Sequence, residues 1–290
     1  MFKGSFVALV TPFKNGAVDF EKIEELVQFH LDSGTDGLVP VGTTGESPTV
    51  SHDENIKIIE CVIKAAGGKI PVIAGAGSNC TDEAISLASR AKKAGADATL
   101  QVCPYYNKPM QEGFYQHFKT IAEKVDLPIV LYNIPGRCGG TGLTAETVAR
   151  LYELDNIVAI KEATGSLDMA SNIASLCDIV ILSGDDSLTV PLASIGARGV
   201  ISVVANFVPK DVKALTDALL AEDFVTARQW HYKLFDLCKS MLTMATNPIP
   251  VKETMAMLGM MSSEMRLPMT NLDEKQREKL RSILTSYGLL

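Results

Sequence analysis

Residues 128–162 read PIVLYNIPGRCGGTGLTAETVARLYELDNIVAIKE. The stretch opens on a short apolar run, passes through a glycine-rich loop and an amphipathic segment, and closes on a second apolar run that ends in a lysine. It reads as strand, helix, strand. Neither apolar run alternates with polar residues, as expected for strands covered on both faces.

Working outward, the same unit recurs along the 290 residues. Strands are expected at 6–10, 37–41, 71–74, 98–102, 128–132, 157–161, 179–182 and 199–204. Helices are expected between them at 21–32, 53–66, 81–93, 112–124, 145–154, 168–176, 188–195 and 210–220. Thr81-Asp82-Glu83 suits a helix start, with acids where the dipole favours them. Gly34, Gly95 and Gly196 stand where left-handed stops are needed. Eight alternations predict an α/β fold, a closed (β/α)8 TIM barrel. An open doubly wound sheet often begins with a GxGxxG turn, of which only Gly75-Ala76-Gly77 is present in part. Past about residue 222 the alternation stops, and 225–242, 250–258 and 273–286 read as helix only. The expected organisation is therefore a catalytic barrel over 1–224 and a C-terminal α-helical domain over 225–290.

Composition bounds the function. The apolar set is 47% of the chain, and charged residues are 21%. That describes a folded, enzyme-like protein with a large core. Twenty-seven Lys and Arg against 34 Asp and Glu leave a net charge of −7. With a pI near 5.2, the chain would repel a phosphate backbone, so nucleic acid is a poor partner. Cys61, Cys80, Cys103, Cys138, Cys177 and Cys238 form no Cys-x-x-Cys pair, and His30, His52, His117 and His231 are scattered. Free thiols in a reducing cytoplasm and no metal site are the expectation. No window suits a signal peptide or a membrane span.

Barrels of this kind carry chemistry at the C-terminal ends of their strands. Lys161 lies at one such end. Burying an unpaired ammonium is costly, and a neutral amine in a dry pocket attacks a ketone or aldehyde to give a Schiff base. The other reading is a lysine that reaches solvent or pairs with an acid on a neighbouring strand. Glu162 is a poor partner, since adjacent strand residues face opposite ways. Tyr132 ends the preceding strand and could shuttle protons beside Lys161. Thr43, Thr44 and Tyr106 supply hydroxyls at other strand ends, although each residue type is commonly structural. Gly42 and Gly45 bracket the threonines and would let backbone N–H groups meet a carboxylate. Arg137, in the loop 136–142, suits a carboxylate through paired hydrogen bonds or is a solvated surface arginine. Asp185 and Asp186 after the seventh strand oppose a phosphate there.

Two longer stretches carry a resemblance. The first is GLVPVGTTGESPTVSHDE at 37–54. The second runs from Tyr132-Asn133-Ile134-Pro135 to Ile160-Lys161-Glu162-Ala163, with further likeness from GSFVALVTPF to NPIPVK and Arg266-Leu267-Pro268-Met269-Thr270. The chain resembles the family of pyruvate-dependent class I aldolases, and within it the members that condense pyruvate with L-aspartate 4-semialdehyde. The resemblance implies a lyase that needs no cofactor and forms its Schiff base at Lys161. It implies Tyr132 as general acid/base, linked through Thr43 to a Tyr106 contributed across a tight dimer. Thr44 would bind the pyruvate carboxylate, Ile201 and Gly184 would line the pyruvate site, and Arg137 would receive the carboxylate of the aldehyde. The implied product is 4-hydroxy-tetrahydrodipicolinate, on the route to diaminopimelate and lysine. The implied assembly is a homotetramer of two dimers.

Feedback by L-lysine is implied through Ser47, His52, Asn79, Glu83 and Tyr105, although Asn55 and Pro48 depart from the common pattern. Cys138 and the glycines after it depart too, on the aldehyde side. The rival readings are an N-acetylneuraminate lyase or 2-keto-3-deoxy sugar acid aldolase on the same fold, a barrel kept for binding without turnover, and a pyridoxal enzyme. No phosphate cup supports the last of these.

Overall fold

In a computed structural model, which describes residues 2–290, eight parallel strands form one sheet curled on itself. They are β1 Gly4–Ala8, β2 Gly37–Val39, β3 Ile73–Gly75, β4 Ala98–Val102, β5 Ile129–Asn133, β6 Ile157–Glu162, β7 Val180–Ser183 and β8 Gly199–Ser202. The sheet runs β2-β1-β8-β7-β6-β5-β4-β3. A Leu38–Val72 bridge and bonds from the N–H groups of Leu38 to Pro71 O and of Gly75 to Pro40 O join its two ends. The expected barrel is the observed one.

Its interior is small and apolar, with Phe6, Val39, Leu100, Val130, Leu182 and Ile201 packed across the axis. The outward side chains of the same strands meet the helices in two further clusters. This double burial is why most of the strands carry no polar alternation; β4 is an exception, with Thr99 and Gln101 buried between its apolar residues. The helices are α1 Phe20–Asp32, α2 His52–Ala66, α3 Thr81–Ala94, α4 Gln111–Lys124, α5 Ala145–Tyr152, α6 Leu167–Leu176, α7 Thr189–Ala193 and α8 Pro209–Leu220. Helix α2 starts on a capping box between Ser51 and Glu54, and α3 ends on Gly95 in the left-handed region. Gly34 and Gly196 also take positive φ, as expected.

Three strands end two residues earlier than the sequence suggests, β1 at Ala8 and two more for identifiable reasons. Strand β2 stops at Val39 because Val41 sits at φ 54°, a conformation in which a β-branched residue is strained and cannot continue a ladder. Strand β8 stops at Ser202 because Val204–Asn206 turns into a 3-10 helix. The segment expected as helix at 188–195 is a 3-10 turn at Asp186–Leu188 followed by the short α7. A ribbon pairing Phe13–Lys14 with Ala17–Val18 had no counterpart in the sequence reading. It turns on Asn15 and Gly16, both at positive φ, as a two-residue hairpin requires.

After α8 come α9 Phe224–Thr243, α10 Ile249–Met257 and α11 Glu274–Tyr287. Their buried residues, among them Leu237, Met241 and Met255, join the cluster that contains Val7, Leu38 and Val200 of the barrel. This helical region therefore shares a core with the barrel. No helix among the described residues is long and apolar enough to cross a membrane.

Candidate active site

Strands β5 and β6 pair in register, Tyr132 opposite Lys161 and Asn133 opposite Glu162. Side chains alternate along a strand, so Tyr132 and Lys161 share one face. Tyr132 packs in the barrel interior. The Lys161 side chain is 5% exposed, and its Nζ lies 4.4 Å from the centre of the Tyr132 ring. Among the described residues no carboxylate forms an ion pair with it. Of the two readings of Lys161, the solvated or paired lysine loses its basis.

Gly184 gives this amine its room. A Cβ there would lie 2.6 Å from Ala163 Cβ, 3.0 Å from Glu162 O and 3.2 Å from Lys161 Cε. Ile201 is buried in the interior cluster with Tyr132 and Leu182.

The outward pair does different work. Asn133 donates to Leu143 O and accepts from Leu143 N–H, both at 3.1 Å. This clasp fixes the loop 134–143 that carries Arg137. Cys138 is buried, with its thiol 3.1 Å from Cys103 O; the residue that departs from the family pattern therefore pins the loop from inside. Burial pushes the Cys138 thiol up to about 11 and Cys103 higher still, so neither is a ready thiolate nucleophile. Burial also raises Glu162 above the usual carboxylate range, opposed by hydrogen bonds from Thr164.

The loop after β2 runs from Val41 to Glu46, both at φ 54°. Between them the N–H groups of Thr43 and Thr44 have no acceptor among the described residues. Those donors suit an anion. Thr44 is buried, and its hydroxyl accepts a 3.0 Å bond from Asn247 Nδ2. Arg137 Nη2 donates to Asn247 O at 3.2 Å. Glu46 ends the loop in a buried ion pair with Lys252 of α10, 2.5 Å apart, and Lys252 also donates to Thr11 O.

A cavity of about 110 Å³ is lined by Thr43 and Tyr132 and also by Ser47, His52, Glu83 and Tyr105. Asn79 borders it, donating to Tyr105 O at 3.1 Å. Thr43 and Tyr132 thus share one space with four of the lysine-site candidates, while Thr44, Arg137 and Lys161 are not among its lining residues. No hydrogen bond joins Tyr132 to Thr43 among the described residues. Tyr106 is not in the cavity. It is 89% exposed and takes a left-handed φ of 70°.

The acids after β7 are occupied elsewhere. Asp185 caps Ser187 N–H at 2.9 Å, and Asp186 accepts from Val203 N–H at 2.8 Å and Val204 N–H at 3.3 Å. Sequence reasoning missed Asn247 and the Glu46–Lys252 pair. The NPIPVK stretch contains both Asn247 and Lys252, but nothing in its spacing points to a loop some 200 residues earlier.

A closed parallel barrel with an amine buried at the end of its sixth strand, against a phenol ring, is the architecture of a lysine-dependent aldolase. The chain is 54% identical over 292 residues to 4-hydroxy-tetrahydrodipicolinate synthase of Geotalea uraniireducens (strain Rf4), with all of both sequences covered. It superposes on crystalline dihydrodipicolinate synthase from Aquifex aeolicus with a TM-score of 0.97 at 50% identity, over 99% of each chain. The chain belongs to the dihydrodipicolinate synthetase family, whose profile matches residues 1–287. A similar structure, the Cyanidioschyzon merolae enzyme with lysine bound, gives a TM-score of 0.95 at 41% identity, over 100% of this chain and 99% of that one.

Proposed function

We propose that the protein condenses pyruvate with L-aspartate 4-semialdehyde through a Schiff base at Lys161, giving 4-hydroxy-tetrahydrodipicolinate for the diaminopimelate and lysine route. The buried Lys161 amine against the Tyr132 ring carries this reading. The amine adds to the ketone carbon of pyruvate, and Tyr132 gives the departing hydroxyl its proton as water leaves. Loss of a methyl proton turns the imine into an enamine, whose carbon attacks the aldehyde. The amino group of the semialdehyde then attacks the imine carbon, closing the ring and releasing Lys161.

In this reading Thr44 holds the pyruvate carboxylate, with Gly184 and Ile201 bounding the site. Arg137 receives the carboxylate of the aldehyde. Thr43 and Tyr106 extend the proton path from Tyr132, with Tyr106 reaching the site of a second copy in a homotetramer of dimers. Its outward placement supports that role. The six free cysteines suit a reducing cytoplasm. L-lysine is the proposed feedback ligand of the part of the cavity lining formed by Ser47, His52, Glu83 and Tyr105, with Asn79 bonded to Tyr105. Glu83 offers a carboxylate to an ammonium there, and the cavity continues to Thr43 and Tyr132.

Borohydride reduction in pyruvate, followed by peptide mapping, is expected to place a stable adduct on Lys161. Absence of the adduct, full turnover by Lys161→Arg, or turnover with sugar aldehydes alone would overturn the assignment. Titrating lysine at limiting pyruvate tests the feedback site: no inhibition at millimolar levels removes it.

A further inference from the structure

Asn247, in the turn between α9 and α10, touches both side chains to which the proposed function gives a carboxylate. Its Nδ2 donates to Thr44 Oγ1 at 3.0 Å, and its main-chain oxygen accepts from Arg137 at 3.2 Å. Asn247 and Thr44 are both buried, so water competes little for these bonds. A threonine hydroxyl has one proton to give and lone pairs to receive. An amide N–H directed at Oγ1 takes a lone pair and cannot take the proton. Thr44 Oγ1 makes no other hydrogen bond among the described residues, so its proton remains free for an incoming acceptor.

The support is stiff. Lys252, in the first turn of α10, is bonded to Glu46 and to Thr11 O. Glu46 in turn follows Thr44 by two residues. The segment carrying Asn247 is thus tied a second time to the loop it contacts.

We propose that Asn247 is a positioning residue which, by donating to Thr44, turns the Thr44 hydroxyl into an oriented donor for the carboxylate of the keto acid. The proposal rests on the pyruvate reading above and adds the residue that sets the polarity of that anchor. With the amide reversed, Oδ1 would draw the Thr44 proton toward itself and present lone pairs to the substrate.

The test compares wild type, Asn247→Ala, Thr44→Val and the double variant. Its readout is the pyruvate concentration that half-saturates borohydride trapping at Lys161, with no aldehyde present. Asn247→Ala is expected to raise that concentration about tenfold, the scale of one hydrogen bond to a charged group. In the Thr44→Val background the same change is expected to add less than about twofold, because the two act as one unit. The KM for the aldehyde is expected to stay within about twofold, since the backbone oxygen facing Arg137 remains.

Asn247→Asp, nearly the same shape but able only to accept when ionised, is expected to weaken pyruvate more than Asn247→Ala, with recovery as pH falls and the acid protonates. Additive losses in the cycle, an unchanged pyruvate response, or an equal rise in both KM values with a lowered Tm would overturn the proposal. Absence of an adduct in the wild type would instead overturn the pyruvate reading on which it stands.

Discussion

At the scale of single residues, the sequence makes Lys161 readable because an ionisable group ends a run that has no other polar member. The structure adds that this amine is buried beside a phenol ring and forms no ion pair among the described residues. Gly184 shows the limit of such reading. It belongs to the expected site only by resemblance, while its physical reason is the absent Cβ. Gly184→Ala would press on Ala163 Cβ, Glu162 O and Lys161 Cε. The closest contact, with Ala163 Cβ, can be relieved only by a shift of the backbone at 161–163 or at 184, which also displaces the lysine stem. The expected loss is about 1–3 kcal/mol of stability from overpacking and about a hundredfold in the rate of adduct trapping, the scale of a reacting group misplaced by about an ångström. Stopped trapping kinetics and urea unfolding measure the two separately. A trapping rate unchanged from wild type would show that Gly184 does not shape the position of the amine.

At the scale of elements, strand and helix positions are legible because burial on both faces and amphipathic spacing repeat eight times. What is hidden is local or distant in sequence. The 13–18 ribbon is too short to show a period, although Asn15-Gly16 carries its turn. Val41 ends β2 through a backbone angle that no residue pattern announces. The Glu46–Lys252 pair links a loop to α10, and neither residue advertises the other. Burial pulls the Lys252 ammonium below the usual lysine range, against the raising effect of Glu46. Lys252→Met would leave Glu46 buried without its cation, and a loss of about 3–5 kcal/mol is expected in urea unfolding. Adding Glu46→Leu is expected to recover most of the stability while activity stays low, because the loop carrying Thr43 and Thr44 has lost its tether. If the single and double variants were equally unstable, the pair would not be the source of the loss.

Asp186 belongs to the same scale, since it joins the turn after β7 to the start of the turn after β8. Burial raises its carboxyl from 3.8 to about 6, against the hydrogen bonds from Ser202, Val203 and Val204. The folded state therefore holds a proton that the unfolded chain releases between those two values. Its contribution to stability is complete below pH 3.8 and is lost as pH rises through about 6, amounting to about 3 kcal/mol. Relative to Asp186→Asn, the wild type is expected to lose about that much between pH 4 and 7. Parallel stability profiles of the two proteins would refute the assignment.

At the scale of the whole molecule, one chain sets the Lys161 amine against the Tyr132 ring and joins Thr44 and Arg137 through Asn247, yet leaves Tyr106 exposed. Tyr106 and Met110, 89% and 85% exposed, stand on the same outward segment. Nothing in the strand–helix count distinguishes a tyrosine that serves its own barrel from one that serves a neighbour, so the reading of Tyr106 as a neighbour's residue comes from resemblance alone.

Mixed subunits decide the matter. Tyr106→Phe and Lys161→Arg are each expected to be nearly inactive alone. In a mixed pair, the subunit that keeps Lys161 receives an intact Tyr106 from its neighbour, and the other subunit lacks both. Random exchange makes about half the pairs mixed, so about one quarter of all sites should regain activity. Unfolding and refolding the two variants together, then assaying against each refolded alone, measures that fraction. If Tyr106 served its own barrel, no pairing could unite it with Lys161, and the mixture would stay as inactive as its parts.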